Sequence, residues 1–435
     1  MIQSRHERQH PAPLRSRQGG AATLVVVMIL FFIMAMMAAY ANRSLIFEQR
    51  IASNYYRGGV AFEVADAGID WTLAMLNGVN VDANCTTQGA VTNSFRQRYL
   101  NLDISSSRAI TTVNTPNDAV AACVRTVNGW ICGCPTVTPV PAIPVAAATQ
   151  MQSSFQVALT GMPAGVVKIL STGCTSNTPS ICTTDSNNAA LATKQLVGAS
   201  QVMMKAALVS ALKAPPAAPL TARGNVSDIG GYLGLHNTDT AGNGLLLLSG
   251  GSAVLSGSRL ESLPGTPGQQ ALSMNDQSLS SIPSSAIMFA RFFGMSQDQY
   301  KNQPAIRAAD CTTSCAGSDV STAIAAGAQM VWVNGPLTLS SATTFGTAAQ
   351  PVVIVVNGNV TISGSAIING VLYAAGNVSA GAPQITVNGA VISDQNFTVN
   401  SGLMDINYQA SIINTVSNTL GSFVRVPGSW FEGTP

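Results

Sequence analysis

Residues 21–41 read AATLVVVMILFFIMAMMAAYA, and no charge interrupts the wider stretch between Arg17 and Arg43. About 20 apolar residues are what an α-helix needs to cross a bilayer. Ahead of the run lie Arg5, Arg8, Arg15 and Arg17 against the single acid Glu7, which favours an N-terminus kept in the cytoplasm. Arg43, Arg50 and Arg57 come after it, balanced in part by Glu48. The plain alternative is a cleaved secretory signal, and Ala39-Tyr40-Ala41 has the form of a cleavage site. A signal's apolar core spans about 7–15 residues, however, and this one is longer. The residues after the apolar run also argue against a signal. No proline occurs from Asn42 to Asn77, and the pattern stays helical. Glu63, Asp66 and Asp70 make one acidic stripe, while Val64, Ala65, Gly68, Trp71 and Met75 run along the other side. Membrane span and amphipathic continuation together predict one helix of about 56 residues, roughly 84 Å long.

The junction QGGAATLVVVM resembles the short basic leader, glycine cleavage site and hydrophobic start of type IV pilins. The continuation, FEQRIASNYYRGGVAFEVADAGIDWTLAML, resembles PilX-type minor pilins, with like residues at Glu48, Arg50, Ala52, Asn54, Arg57, Ala61, Phe62, Ala65, Ala67 and Gly68. The resemblance implies a leader over residues 1–20, cut after Gly20 by a prepilin peptidase and methylated at the new N-terminus, Ala21; Gly19 offers a one-residue slip. Small residues at the cut let a protease reach an extended backbone. Major pilins carry a glutamate at the fifth mature position. Here that position is Val25, or Leu24 if the cut slips to Gly19.

Charged residues make up only 9 % of the 435-residue chain. Gly, Ala, Ser, Thr and Asn are abundant, a mix that suits tight turns and short strands. The net charge of +2 and the lack of a basic stripe give no case for nucleic acid. The expected fold class is α+β: a membrane and stalk helix over 21–78, a pilin-like α/β head over 79–206, and a β-rich, solenoid-like domain over 207–435. In the head, Phe155–Thr160 and Val166–Thr172 flank Gly-Met-Pro-Ala-Gly as a hairpin, and Gln195–Met204 reads as a third strand. Pro135 to Pro144 reads as a loop.

After the linker prolines Pro215, Pro216 and Pro219 a repeat emerges. Val333-Asn334-Gly335-Pro336-Leu337-Thr338-Leu339-Ser340 is echoed by Val356-Asn357-Gly358-Asn359-Val360-Thr361-Ile362-Ser363. Ile368-Asn369-Gly370, Val387-Asn388-Gly389 and Ile406-Asn407-Tyr408 then recur 19 residues apart. Short β runs with Asn/Gly corners at that period are the pattern of a β-solenoid, with Val/Ile columns inside and Asn ladders at the corners. Gly224–Ser227 through Val254–Gly257 reads as one or two further rungs. An insertion over about 259–327 carries a helix near Ser284–Phe293, whose Phe289, Phe292 and Phe293 read as core.

The inventory argues against an enzyme. Between Gln329 and Gly421 the only charged residues are Asp394 and Asp405, and no lysine occurs after Lys301. His6 and His10 fall in the expected leader, leaving His236 without a recognisable triad. No nucleotide, zinc-protease or calcium-loop motif is present, so no cofactor or metal is expected. All eight cysteines lie after position 84, which fits disulfides in an oxidising compartment. Cys132-Gly133-Cys134 lacks the paired spacing of a zinc site. Cys174/Cys182 and Cys311/Cys315 are local pairs; Cys85, Cys123, Cys132 and Cys134 pair among themselves, in an order left open.

The resemblance implies a minor pilin that supports pilus assembly and adhesion at or near a type IV pilus tip. Such a subunit passes the inner membrane once, N-terminus cytoplasmic, and becomes extracellular on assembly. Its partners would be minor and major pilins, the prepilin peptidase, the inner-membrane assembly platform and a tip adhesin. The rivals are a type II secretion pseudopilin lacking the fifth-position acid, and a secreted surface-binding β-solenoid with a cleaved Sec signal.

Overall fold

The computed structural model describes residues 20–87, 93–113, 119–135, 152–182, 197–255, 258–309, 311 and 313–433. The chain divides into two compact units between Arg57 and Gly58. The N-terminal unit is helical from Ala21, where the sequence becomes Leu-, Met- and Ala-rich and free of proline. The helix continues without a break to Leu76, 56 residues in all.

In the second unit, the last turns of this stalk helix pack on an antiparallel sheet. Ala61, Val64, Ala65, Gly68, Ile69, Thr72 and Leu76 form the buried face. Close approach needs small residues on both sides. A Cβ at Gly173, on the sheet, would lie 2.0 Å from the carbonyl oxygen of Ala61, and one at Gly68 would lie 2.9 Å from the Phe155 ring. Trp71 fills the flank, its ring 5.6 Å from both Phe95 and Phe155. Across the sheet the strands run Gly421–Arg425, Ala199–Ser210, Val166–Cys174, Ser154–Met162, Ala119–Thr126 and Gly129–Gly133. The expected hairpin is there, with Met162 opposite Val166 and a turn in which Ala164 and Gly165 take positive φ. The expected third strand is displaced to Ala199–Ser210, the first residues of Gln195–Met204 lying outside the described ones. Of the Pro135–Pro144 loop only Pro135 is described.

The sheet corrects the domain boundaries. Residue 206 falls inside the strand Ala199–Ser210, and both Gly421–Arg425 and Phe431–Gly433 pair with that strand. The C-terminal residues therefore belong to the head, and the β-rich segment is an insertion between two neighbouring strands of its sheet. A composition boundary marks where a chain leaves a domain and carries no signal of its return.

Within the insertion, short strands stack in parallel register in two ladders. In one, Ala366–Ala374 pairs with Gln384–Ser393, which pairs with Gly402–Asn407. In the other, Val360–Ile362, Val378–Ala380 and Phe397–Val399 succeed one another. Both ladders close on earlier chain: Gly231–His236 pairs with Gly402–Asn407, and Val226–Asp228 with Phe397–Val399. The segment near 226–236 is thus laid on the last coil. Arg259–Glu261 and Arg307–Ala309 also pair into the ladders, so the break in stacking is narrower than the expected 259–327.

Inward-pointing Val226, Val360, Val378 and Phe397 join Ile368, Val387 and Ile406 in one apolar core. The asparagines stitch successive coils. Asn388 Nδ2 donates to Asn369 Oδ1 at 2.9 Å, and Asn407 Nδ2 to Asn388 Oδ1 at 3.2 Å. At another corner the side chains of Asn359, Asn377 and Asn396 each accept from a backbone N–H of the next coil. A second core lies outside the ladders, where the helix Ser285–Phe293 buries Met288, Phe289 and Phe293. Phe289 and Phe293 stack at 4.2 Å and meet the Tyr373 ring edge-on at 5.3 and 5.4 Å. Phe292 is partly buried beside them.

Candidate functional site: the stalk and its clamp

Residues 1–19, with Gly19, His6 and His10, lie outside the described residues. Gly20 stands exposed just before the helix, and Thr23 Oγ1 donates to its carbonyl oxygen. Val25 is 54 % exposed, and Leu24, Phe31, Phe32 and Met36 are exposed with it. A helix apolar on all sides suits lipid or a bundle of like helices. By length and composition it can cross a membrane.

At its other end the stalk helix is clamped by the returning C-terminal residues. Asn77 Oδ1 accepts the Phe423 N–H at 2.8 Å, and Asn77 Nδ2 donates to the Phe423 carbonyl at 2.9 Å, both buried. The amide thus serves the outer edge of the strand Gly421–Arg425 as another strand would. Arg96, itself buried, donates to the carbonyl of Gly421 at 3.0 Å. Burial, helped by the nearby Arg307 charge, pulls the Arg96 guanidinium down to about 10. Arg307 donates to the carbonyl of Asn77, at the helix end where a cation suits the dipole. Further out, Asp70 pairs with Arg425, and Asp66 accepts from the Trp430 indole at 3.1 Å. The acidic stripe read from the sequence is thus largely a holdfast for the C-terminal strands. Trp430 also meets Phe62 edge-on at 6.1 Å.

The cysteines pair as Cys85–Cys134, Cys123–Cys132, Cys174–Cys182 and Cys311–Cys315. Cys123 and Cys132 face each other directly across two strands. Cys311 and Cys315 lie close to Asp319, but their sulfurs are bonded to one another.

Two polar clusters are not legible in the sequence. His236 sits between two carboxylates, 2.9 Å from Glu261 Oε2 and 3.2 Å from Asp405 Oδ1, and Arg259 pairs with Asp405. These residues lie on three adjacent strands, which only the out-of-order stacking brings together. The cluster is a charge network joining the coils, with Glu261 largely exposed. Asp394 is buried, with Arg223 Nε 2.7 Å from Oδ1. Burial pushes its carboxyl up, and the Ser285 hydroxyl and Arg223 charge only partly offset this.

Residues 19–70, the exposed helix and most of its clamped end, match the family model PilX N-terminal. The chain is type IV pilin-like. No curated protein matches it. Among solved structures, this pilin-like chain is similar to the competence-associated pilin ComZ from Thermus thermophilus, at 11 % identity over 87 % of this chain and 98 % of that one, with a TM-score of 0.20. It is also similar to an ice-binding protein from the Antarctic ascomycete Antarctomyces psychrotrophicus, at 13 % identity over 44 % of this chain and 96 % of that one, with a TM-score of 0.25. At these scores the fold of the pilin-like chain is read from its own strand pairing.

Proposed function

We propose that this chain is a minor pilin, a structural and non-catalytic subunit at or near the tip of a type IV pilus. In this reading the leader is cut after Gly20 by a prepilin peptidase and Ala21 is methylated. The subunit waits in the inner membrane with its N-terminus in the cytoplasm until the assembly platform adds it to other minor and major pilins. The observation that carries the tip position is Val25. In pilins generally, the acid at that place is thought to meet the N-terminal ammonium of a subunit already in the filament, inside an apolar bundle. A buried charge left without its partner costs on the order of 3–5 kcal/mol. The first subunit has no such partner above it, and an apolar side chain avoids the penalty.

The insertion supports the same position. Its Asn-stitched coils, which we read as a β-solenoid, interrupt the head sheet between Ala199–Ser210 and Gly421–Arg425. Bulk of that kind is accommodated at a filament end more readily than along a repeating shaft, and it would present a surface for adhesion or for a tip adhesin. Immunogold labelling of intact pili tests the position. Labels at ends support it; even decoration of shafts, or normal piliation in a deletion strain with its retraction motor intact, refutes it.

A further inference from the structure

A cleft of about 310 Å³ lies where the head meets the inserted segment, lined among others by Arg108, Leu208, Ser210, Lys213, Phe293 and Gly294. It contains two cations and no carboxylate. Arg108 reaches it from the loop after Leu100–Leu102, held in a left-handed backbone conformation at φ 47°. Its carbonyl accepts from Gly165 N–H, and its Nη2 donates to the Leu208 carbonyl at 2.7 Å. Its Nε is buried with no partner. A partly buried guanidinium whose hydrogen-bond partner is a neutral carbonyl is an uncompensated charge. Burial accordingly lowers its proton affinity, with no acid acting the other way.

Lys213 comes from the inserted side, its stem packed against Gly294. No ion pair among the described residues includes Arg108 or Lys213. Asp103, in the same loop as Arg108, is engaged by the hydroxyls of Ser105 and Ser107. At the carbonyl end of the helix Ser285–Phe293, Lys213 and Ala214 N–H both donate to the Phe292 carbonyl, so that this acceptor is satisfied by the backbone.

We propose that this cleft binds a small phosphate-type oxyanion, held by Arg108 from the head and Lys213 from the insertion, so that the ligand pins the two together. Oxyanions are favoured because a guanidinium offers directed donors and an ammonium adds a mobile one. The neutral Ser210 hydroxyl already donates to the Ser417 carbonyl, so its proton is engaged outside the cleft. The cations therefore define the ligand.

The test uses the full-length protein in neutral detergent, titrated with inorganic phosphate against sodium chloride of equal ionic strength. Binding is read by 31P line broadening and by the melting temperature. Phosphate should raise the melting temperature saturably where chloride does not. Lys213→Gln should weaken binding about tenfold and Lys213→Arg should restore it, while Lys205→Gln, at a lysine outside the cleft, should leave it unchanged. Because Arg108 also ties its loop to the head, Arg108→Gln is judged by loss of 31P broadening in protein shown to be folded. Equal effects of phosphate and chloride, or equal phosphate affinity in the parent and Lys213→Gln, would overturn the proposal.

Discussion

The side-chain amide of Asn77 grips the backbone of Phe423 by both its N–H and its carbonyl, across 346 residues of sequence. This one residue closes the stalk helix and seals the free edge of the strand Gly421–Arg425. The inserted strands between Ala199–Ser210 and Gly421–Arg425 are thereby framed by the head.

The first prediction concerns that grip. Asn77→Ala leaves a buried N–H and a buried C=O of Phe423 without partners, each worth about 1–3 kcal/mol. The variant should lose on the order of 2–3 kcal/mol in denaturant unfolding of the full chain. Asn77→Asp keeps the acceptor and should recover part of that loss. An Asn77→Ala variant as stable as the parent would mean that the clamp is ornamental.

Arg425 offers the contrast. Its partner Asp70 is the same kind of long-range link, but both side chains are exposed. Exposed pairs contribute about 0.2–1 kcal/mol. Arg425→Ala should therefore change stability much less than Asn77→Ala, and added salt should shrink the Arg425→Ala effect further. Equal losses from the two variants would contradict the burial argument.

A third prediction concerns the helix–sheet contact. Gly173→Val places branched carbon where the carbonyl of Ala61 would lie 2.0 Å from Cβ, and the helix must move away from the sheet. The strand should survive while the stalk end detaches, seen as faster amide exchange over residues 61–76. Unchanged exchange there would show that the contact tolerates side chains.

Disulfides of different span should differ in effect. The Cys85–Cys134 loop encloses 49 residues of separation and Cys174–Cys182 only 8. Loop entropy puts the longer at roughly 4 kcal/mol and the shorter at roughly 2.5. The Cys85→Ser, Cys134→Ser pair should therefore lower the melting temperature more than the Cys174→Ser, Cys182→Ser pair. Bound zinc with free thiols in protein from an oxidising compartment would remove the basis of this ordering.

Burial raises the Asp394 carboxyl above its ordinary value. The folded state holds this proton to a higher pH than the unfolded chain does. Its contribution is therefore most favourable at low pH and declines as pH rises from the ordinary carboxylate value through the raised folded one. Asp394→Asn removes the decline. The melting-temperature difference, parent minus variant, should fall as pH rises across that window, and a flat difference would show that the group titrates normally.

The legible parts of this chain are those governed by local pattern. The apolar run at 21–41, the unbroken helix to Leu76, the hairpin across Pro163-Ala164-Gly165 and the 19-residue asparagine spacing each come from period, turn chemistry or repetition. What escapes is non-local. Nothing in Gly421–Arg425 signals that it returns to Ala199–Ser210, and nothing in Val226–Asp228 signals that it lies on Phe397–Val399. The clamp residues Asn77, Arg96 and Trp430 acquire their roles only from that return. His236 likewise reads as solitary because its partners Glu261 and Asp405 lie 25 and 169 residues away.

The mass of the N-terminal peptide, from sheared filaments and from membranes, decides whether the apolar helix belongs to a processed, filament-borne subunit. The expected result is a peptide beginning at methylated Ala21, and a full-length, membrane-retained precursor in Gly20→Arg. A mature protein beginning at Asn42, or Gly20→Arg protein processed to normal length, would contradict it.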